Sequence, residues 1–342
     1  IVPVYWDKLF SDTSSILFFL ADGKQYFFNK SAIDELDVAI RSMSVSGSRV
    51  YLRLLKTPES AEIGSAYVMP DVYDEAVITK IHAAISFLTE RYCSEKDGKI
   101  SGIILGKGWD NPDKYNYAND VRFDEYLDRC GIYTVIVANA ARSVDPSIDV
   151  VVPLTADGFI YRKDGEDFFK NFTESLLAYF DNSFYSGLNC SFLLDVAASP
   201  LGITNESVDL GIDLEYKDPD GRISAGAQDA FSRYLDKLAA SYRSCPDNYI
   251  FSWMPERSLR GNSLSAAYVY SYYALISDPK ISCFAVDLVG KNANENICDF
   301  SHVIKLIDTK DTLAVTRNLA TNFGVASWSD IFADGEIAKS EV

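Results

Sequence analysis

The 342-residue sequence is poor in metal-binding residues and has no long apolar run. It contains only two histidines, His82 and His302, which argues against a histidine-based zinc site. No stretch approaches about 18 uninterrupted apolar residues, so no segment is predicted to span a membrane. No Gly-x-Gly-x-x-Gly motif opens a predicted helix, which disfavours a doubly wound dinucleotide-binding fold. We therefore expect no metal, no cofactor and no membrane insertion.

The six cysteines do not have the spacing of a metal-binding finger. No Cys-x-x-Cys pair is present, although such pairs mark many zinc and redox sites. Cys190 lies at the start of one predicted strand and Cys283 lies inside another, where cysteine usually packs as a small hydrophobic residue. Because 48% of the residues are hydrophobic, the core is large enough to need no covalent crosslinks. We favour free thiols over disulfides.

Basic residues are in the minority. The 49 acidic residues outnumber the 32 lysines and arginines, which gives a net charge of −17. A charge of that sign disfavours nucleic acid and anionic membranes as partners. It suits a neutral ligand, and a solvated acidic surface explains it equally well. The sequence begins at Ile1 without methionine or a signal-like segment, so we expect an excised or mature piece of a longer, extracellular or cell-surface protein.

Short apolar runs alternate with amphipathic helical patterns along the chain. The predicted strands are residues 2–6, 50–55, 102–106, 150–154, 191–195, 249–253 and 281–288, and the predicted helices are residues 31–43, 75–92, 123–141, 166–180, 227–242, 264–276 and 312–323. Asp22-Gly23 predicts a tight hairpin within residues 16–28. The alternation predicts a parallel sheet. A single (β/α)8 TIM-barrel-like domain over residues 1–342 explains this length better than a doubly wound sheet.

Carboxylates and tryptophans stand at the ends of the predicted strands, where barrel enzymes place their catalytic groups. Glycosidases need two carboxylates, and sugar rings stack on aromatic faces, so this mixture favours a carbohydrate ligand. The alternative is that an aspartate at a strand end only caps the following turn. Glu256 is a longer carboxylate beside Arg257, which either pairs with it structurally or keeps it ionised. The candidate site residues are Trp6, Trp109, Asp110, Asn111, Asp195, Trp253 and Glu256.

Four motifs carry a family resemblance through their order and spacing. They are GKQYFF, FLTERYCSEKDGKISGIILGKGWDN, YIFSWMPERS, and HVIKLIDTKDT followed by NFGVASW. Together they resemble an uncharacterised bacterial family of glycoside-hydrolase-like TIM barrels. That family is similar to the clan A glycosidases, whose acid/base glutamate follows strand four in an Asn-Glu pair and whose nucleophile glutamate ends strand seven.

The resemblance implies a register for the strands. Residues 102–106 correspond to strand four and residues 249–253 to strand seven, so Glu256 matches the nucleophile position. The Gly-Asn-Glu of the family falls on Gly106-Lys107-Gly108, so the acid/base glutamate is expected to be lost. Strand one is expected to be missing or replaced by the hairpin at residues 16–28. The barrel would then be incomplete or distorted at its N-terminal side.

Three functional hypotheses follow. In the first, a degenerate glycosidase-like barrel binds an oligo- or polysaccharide: Trp6, Trp109 and Trp253 stack on sugar, and Glu256, Asp110, Asn111 and Asp195 bind hydroxyls. In the second, an active hydrolase uses Glu256 as nucleophile and Asp110 as acid. In the third, the chain is a non-catalytic structural or interaction domain of a larger exported protein. Burial of Trp109 and Trp253 would favour the third.

Overall fold

The computed structural model describes the chain in segments. These are residues 1–12, 15–45, 48–57, 68–93, 98–116, 121–156, 162–163, 166–182, 188–196, 216–217, 219, 222–224, 226–253 and 278–286. The chain divides into two compact units, Ile1–Leu193 with Leu238–Pro246, and Leu194–Lys237 with Asp247–Val342. Each unit is described by itself below, and the single domain predicted over residues 1–342 stays a prediction.

Parallel strands and amphipathic helices alternate in the first unit. The strands are β1 (Val2–Tyr5), β2 (Phe18–Ala21), β3 (Lys24–Phe27), β4 (Tyr51–Leu55), β5 (Gly102–Ile104), β6 (Asp149–Thr155), β7 (Arg162–Lys163), β8 (Glu166–Asp167) and β9 (Ser191–Val196), the last of which runs into the second unit. The helices are α1 (Trp6–Leu9), α2 (Lys30–Val45), α3 (Glu75–Arg91), α4 (Pro112–Tyr115), α5 (Phe123–Arg142) and α6 (Phe168–Asp181). Strands β1, β4, β5 and β6 are consecutive parallel neighbours.

The register of these strands gives the sheet one aliphatic face and one mixed face, because side chains alternate along a strand. The aliphatic face is formed by paired residues of four strands, Val2, Leu52, Ile103 and Val150. The mixed face carries Tyr51, Arg53 and Asp149, with Gly102 between Tyr51 and Asp149. A Cβ on Gly102 would lie 2.7 Å from the Tyr51 ring, so glycine is needed there. Both Tyr51 and Arg53 are buried, as expected for a parallel sheet covered on both faces.

The helices begin and pack for identifiable reasons. Asp74 caps α3, since its carboxylate accepts hydrogen bonds from the backbone N–H groups of Ala76 and Val77. One side of α3 is buried, and it carries apolar residues such as Ile81 and Leu88. Arg91 at the end of α3 makes two hydrogen bonds to Asp37 of α2, at 2.8 and 2.6 Å. This ion pair fastens two consecutive helices of the unit.

The predicted hairpin is confirmed as the pair β2–β3. Its strands are antiparallel, with Phe18 opposite Phe27 and Ala21 opposite Lys24. Asp22 and Gly23 form the turn with positive φ angles of 48° and 74°. The hairpin forms a sheet of its own. It therefore does not supply a strand to the parallel sheet.

The second unit contains its own pair of parallel strands. It holds β10 (Tyr216–Lys217), β11 (Ile223–Ser224), β12 (Tyr249–Trp253) and β13 (Ile281–Val286), together with most of α7 (Ala227–Ser241). Strands β12 and β13 are parallel neighbours. Ser232 of α7 donates to Asp278, at 2.9 Å, and lies 3.1 Å from the hydroxyl of Tyr249. These polar contacts fix α7 against the start of β12.

The α/β class is confirmed, whereas a closed eight-stranded barrel is not shown by the described residues. In the first unit the parallel strands are neighbours in the order β1-β4-β5-β6, and in the second unit β12 and β13 are parallel neighbours, which is in each case the order of the chain. Sequential order in a parallel sheet is the arrangement expected of consecutive βα units. The predicted helices at residues 264–276 and 312–323 lie outside the described residues. No helix in the described part of the chain has the length and apolar character needed to cross a membrane.

Candidate functional site

The segment after β5 runs on beside β6 in the parallel direction. Its backbone continues the sheet, since Leu105 N–H donates to Val151 O at 3.1 Å and Trp109 N–H to Pro153 O at 3.0 Å. Gly106 and Gly108 have φ angles of 110° and 57°, which L side chains rarely adopt. A Cβ on Gly108 would also lie 2.2 Å from the Tyr115 ring. The two glycines are therefore explained by the backbone conformation of this segment.

Asp110 lies inside this fold and faces protein rather than solvent. It is 0% exposed. The backbone N–H of Thr155 donates to Oδ1 at 2.8 Å, and the Thr155 hydroxyl donates to Oδ2 at 3.0 Å. The carboxylate thus ties the end of β5 to the end of β6. This is the turn-stabilising role considered above, and it argues against Asp110 reaching a substrate as general acid.

Trp109 is part of the core. Its side chain is 1% exposed and its ring lies 6.4 Å from that of Tyr133. The hydroxyl of Tyr126 donates to the Trp109 carbonyl at 3.1 Å. Burial raises the pKa of Tyr126 well above its ordinary value, so this donor stays protonated. In this position the indole cannot stack on a sugar. The burial of Trp109 therefore favours the third hypothesis, a non-catalytic structural or interaction domain.

Asn111 and Asn116 flank the short helix α4 and are buried. The Asn116 amide donates to Lys107 O at 3.4 Å. Within the described residues, no donor reaches Oδ1 of either asparagine. Two buried acceptors are therefore available for a water molecule or a ligand hydroxyl. Asn111, predicted to bind substrate, keeps the hydrogen-bonding capacity for that role.

The remaining predicted residues belong to the second unit. Asp195 is buried near the end of β9. Trp253 is the last residue of β12, and its side chain is outside the described residues. Glu256 also lies outside them, so the predicted pairing of Glu256 with Asp110 stays a prediction.

Trp6, the other predicted tryptophan of the first unit, is accessible. It lines a pocket at the ends of two strands. We name it the Trp6 pocket, and its volume is about 320 Å³. Trp6 and Asp7 follow β1, and Lys56 follows β4. The backbone N–H of Asp7 donates to Lys56 O at 2.9 Å. The pocket therefore lies at the carboxyl end of the sheet, where barrel proteins bind their ligands.

The inner side of the Trp6 pocket is held by stacked aromatic rings. The Trp6 and Phe10 rings are stacked and nearly parallel, with an interplanar angle of 12° and centroids 6.4 Å apart. Phe10 stacks on Phe28 at 5.3 Å, and Phe28 stacks on Phe87 at 3.9 Å. The ammonium of Lys80 lies 4.2 Å from the Phe10 ring centroid, a favourable cation–π contact. The row of rings anchors Trp6 to the core.

The outer side of the pocket carries two acids and two bases, Asp7, Asp71, Lys56 and Lys80. Asp71 accepts a hydrogen bond from the Tyr73 backbone at 3.1 Å. Within the described part of the chain, the side chains of Asp7 and Lys56 have no polar partner. They are exposed and available to a ligand. The opposite charges balance, which suits a ligand without net charge.

Sequence reasoning missed most of this pocket. Lys56 directly follows a predicted strand and could have been found by its position. Asp71 and Lys80 come from the loop before α3 and from α3 itself, and no sequence pattern connects them with Trp6. Among the described residues, no cluster of His, Cys, Asp and Glu could hold a metal. The five described cysteines are free.

Residues 2–192 match a protein family described as a family of unknown function, DUF5722. The match covers more than half of the sequence. The chain belongs to this family. A comparison with curated proteins gives no match.

Solved structures of glycoside hydrolases are similar in fold. A glucosidase from Croceicoccus marinus has 14% identity and a TM-score of 0.50, over 86% of this chain and 54% of that chain. A family 44 xyloglucanase from Paenibacillus polymyxa has 15% identity and a TM-score of 0.44, over 82% of this chain and 64% of that chain. This chain thus spans less than two thirds of either hydrolase. At 14% identity the likeness to the glucosidase shows fold alone, and it agrees with the predicted glycoside-hydrolase-like fold.

Proposed function

We propose that this protein binds carbohydrate at the carboxyl end of its sheet and does not hydrolyse it efficiently. The observation that supports binding is the Trp6 pocket, where an accessible indole lies beside a carboxylate and an ammonium that have no polar partner among the described residues. The apolar face of a sugar packs on an aromatic ring, while its hydroxyls need polar partners. Asp7 and Lys56 offer an acceptor and a donor at the pocket rim. An extracellular or cell-surface location, where polysaccharides are met, is part of this proposal.

The absence of efficient hydrolysis is supported by the surroundings of Asp110. Glycoside hydrolysis requires two carboxyl groups flanking the scissile bond. Gly106-Lys107-Gly108 stands where the resemblance implies the acid/base glutamate. Asp110, the carboxylate closest in sequence to that position, is buried and has both oxygens bonded to Thr155. Glu256 alone would lack the partner that either hydrolytic mechanism needs.

A second candidate is a non-catalytic interaction domain of a larger exported protein. The burial of Trp109 favours it, because one of the three predicted stacking residues then serves the core. The two candidates differ in whether the Trp6 pocket binds sugars.

A glycan-array screen and a mixed-glycoside hydrolysis assay test the proposal. Wild type, Asp7→Asn, Glu256→Gln and the control Phe18→Ala are compared. Asp7 is exposed and unpartnered among the described residues, so Asp7→Asn should fold normally and bind glycans more weakly. Phe18 is an exposed aromatic residue of the hairpin outside the pocket, so Phe18→Ala should keep binding.

We expect binding without turnover in wild type and in Glu256→Gln. Turnover that Glu256→Gln abolishes would instead establish the active hydrolase. A folded wild type that binds no glycan would leave the interaction domain as the better candidate.

A further inference from the structure

We infer that the Trp6 pocket takes an aromatic ring, so that the ligand is a carbohydrate carrying an aryl substituent. This inference rests on the proposed function and narrows its substrate class. It follows from the division of the pocket into an apolar interior and a charged rim.

Most of the pocket wall offers nothing to a hydroxyl group, although the Lys80 ammonium lies 4.2 Å from the Phe10 ring centroid. Apart from the two aromatic rings, the interior is lined by Val68, Met69 and Pro70 before α3 and by Val77 and Ile81 of α3. None of these side chains carries a strong hydrogen-bond donor or acceptor. A sugar ring enclosed there would leave hydroxyls unpaired, which costs free energy. An aryl ring would instead exchange water for apolar contact.

The aromatic wall matches a planar apolar group. Trp6 and Phe10 present nearly parallel rings, and a further ring stacked or tilted against them would extend the row that runs to Phe28 and Phe87. Met69 contributes a thioether, which makes favourable contacts with aromatic rings. A contact with a buried tyrosine also holds Trp6 in place, because the hydroxyl of Tyr133 interacts with the Trp6 indole. Burial raises the pKa of this hydroxyl. The wall is thus preformed.

The rim of the pocket suits the polar part of the same ligand. Asp7 and Lys56 lie at the ends of β1 and β4, and both side chains are exposed. The volume of about 320 Å³ is at the lower end of the range of ligand pockets. Because a cavity of about 150 Å³ holds benzene, the pocket has room for one aryl ring and part of the attached sugar, and the rest of the carbohydrate extends past the rim.

Calorimetry with matched glycosides tests the inference. The probes are methyl and phenyl β-glycosides of glucose, xylose and mannose, with benzyl alcohol as a sugar-free aromatic. We expect a phenyl glycoside to bind at least tenfold more tightly than its methyl counterpart. Met69→Glu, which places a charge in the interior, should remove this difference, whereas Asp7→Asn should weaken both glycosides alike. Phe18→Ala should change neither affinity, and thermal unfolding confirms that each variant is folded.

The other outcomes separate the inference from the proposed function. Equal affinity for methyl and phenyl glycosides would overturn the aromatic pocket and leave carbohydrate binding in place. Binding of benzyl alcohol without any gain from an attached sugar would overturn the carbohydrate part and the proposed function with it. Failure of all seven probes to bind would overturn the inference.

Discussion

Two tryptophans at strand ends show how far residue identity alone predicts a site. Trp6 and Trp109 both follow an apolar strand and both precede an aspartate. The structure leaves Trp6 accessible in a pocket and buries Trp109 against tyrosines of α5. The Trp109 ring lies beside that of Tyr133 and the Trp109 carbonyl accepts from Tyr126, residues 24 and 17 positions farther along the chain, while the Tyr133 hydroxyl also interacts with Trp6. No local pattern around either tryptophan contains that information.

Asp110 gives a prediction at the same scale. Because its oxygens accept two hydrogen bonds from Thr155 in a buried place, Asp110→Asn should replace a charge-assisted pair by weaker neutral bonds. We expect a loss of about 1–2 kcal/mol in the free energy of unfolding, measured by urea denaturation. The matched control is Asp124→Asn, since Asp124 pairs with Arg122 at an exposed site and such pairs contribute little. A general acid would behave oppositely: Asp110→Asn would lower glycoside turnover and leave stability unchanged.

Whole elements could be predicted closely from the sequence. Strand β12 occupies the predicted residues 249–253, and α3 ends one residue before its predicted end. These elements have strong signals, because buried strands form continuous apolar runs and helices repeat their apolar positions every 3.6 residues. Strand β5 ends at Ile104, two residues earlier than predicted. There the positive φ of Gly106 turns the backbone out of the strand.

The ion pair between α2 and α3 gives a prediction at the element scale. Hydrogen bonds from Arg91 lower the pKa of Asp37, and burial partly opposes them. A carboxyl group with a lowered folded-state pKa stabilises the fold above its unfolded-state pKa of about 3.9. That contribution is lost as the pH falls through the folded-state value. We expect the free energy of unfolding of Asp37→Asn to fall less steeply below about pH 4 than that of wild type.

Chemical denaturation between pH 7 and pH 3 measures this difference. Asp34→Asn is the control, because Asp34 forms an exposed pair with Lys30 on the same helix and should change the profile little. Parallel profiles for wild type and Asp37→Asn would contradict the coupling of α2 to α3 through this carboxylate.

At the scale of the whole molecule, the net charge of the protein and the local charges around the Trp6 pocket should affect ligand binding differently. The net charge of −17 repels anions. Salt screens this repulsion, so that its range is about 10 Å at 0.1 M ionic strength. The rim of the Trp6 pocket is balanced, with two acids and two bases. A phenyl glucoside should therefore bind with the same affinity from 50 to 500 mM salt, whereas a phenyl glucuronide should bind more weakly at low salt and approach the glucoside as salt rises. Calorimetry of this matched pair separates the two influences. If the glucuronide bound more tightly than the glucoside at low salt and added salt weakened that binding, the local charges of Lys56 and Lys80 would outweigh the field of the whole protein.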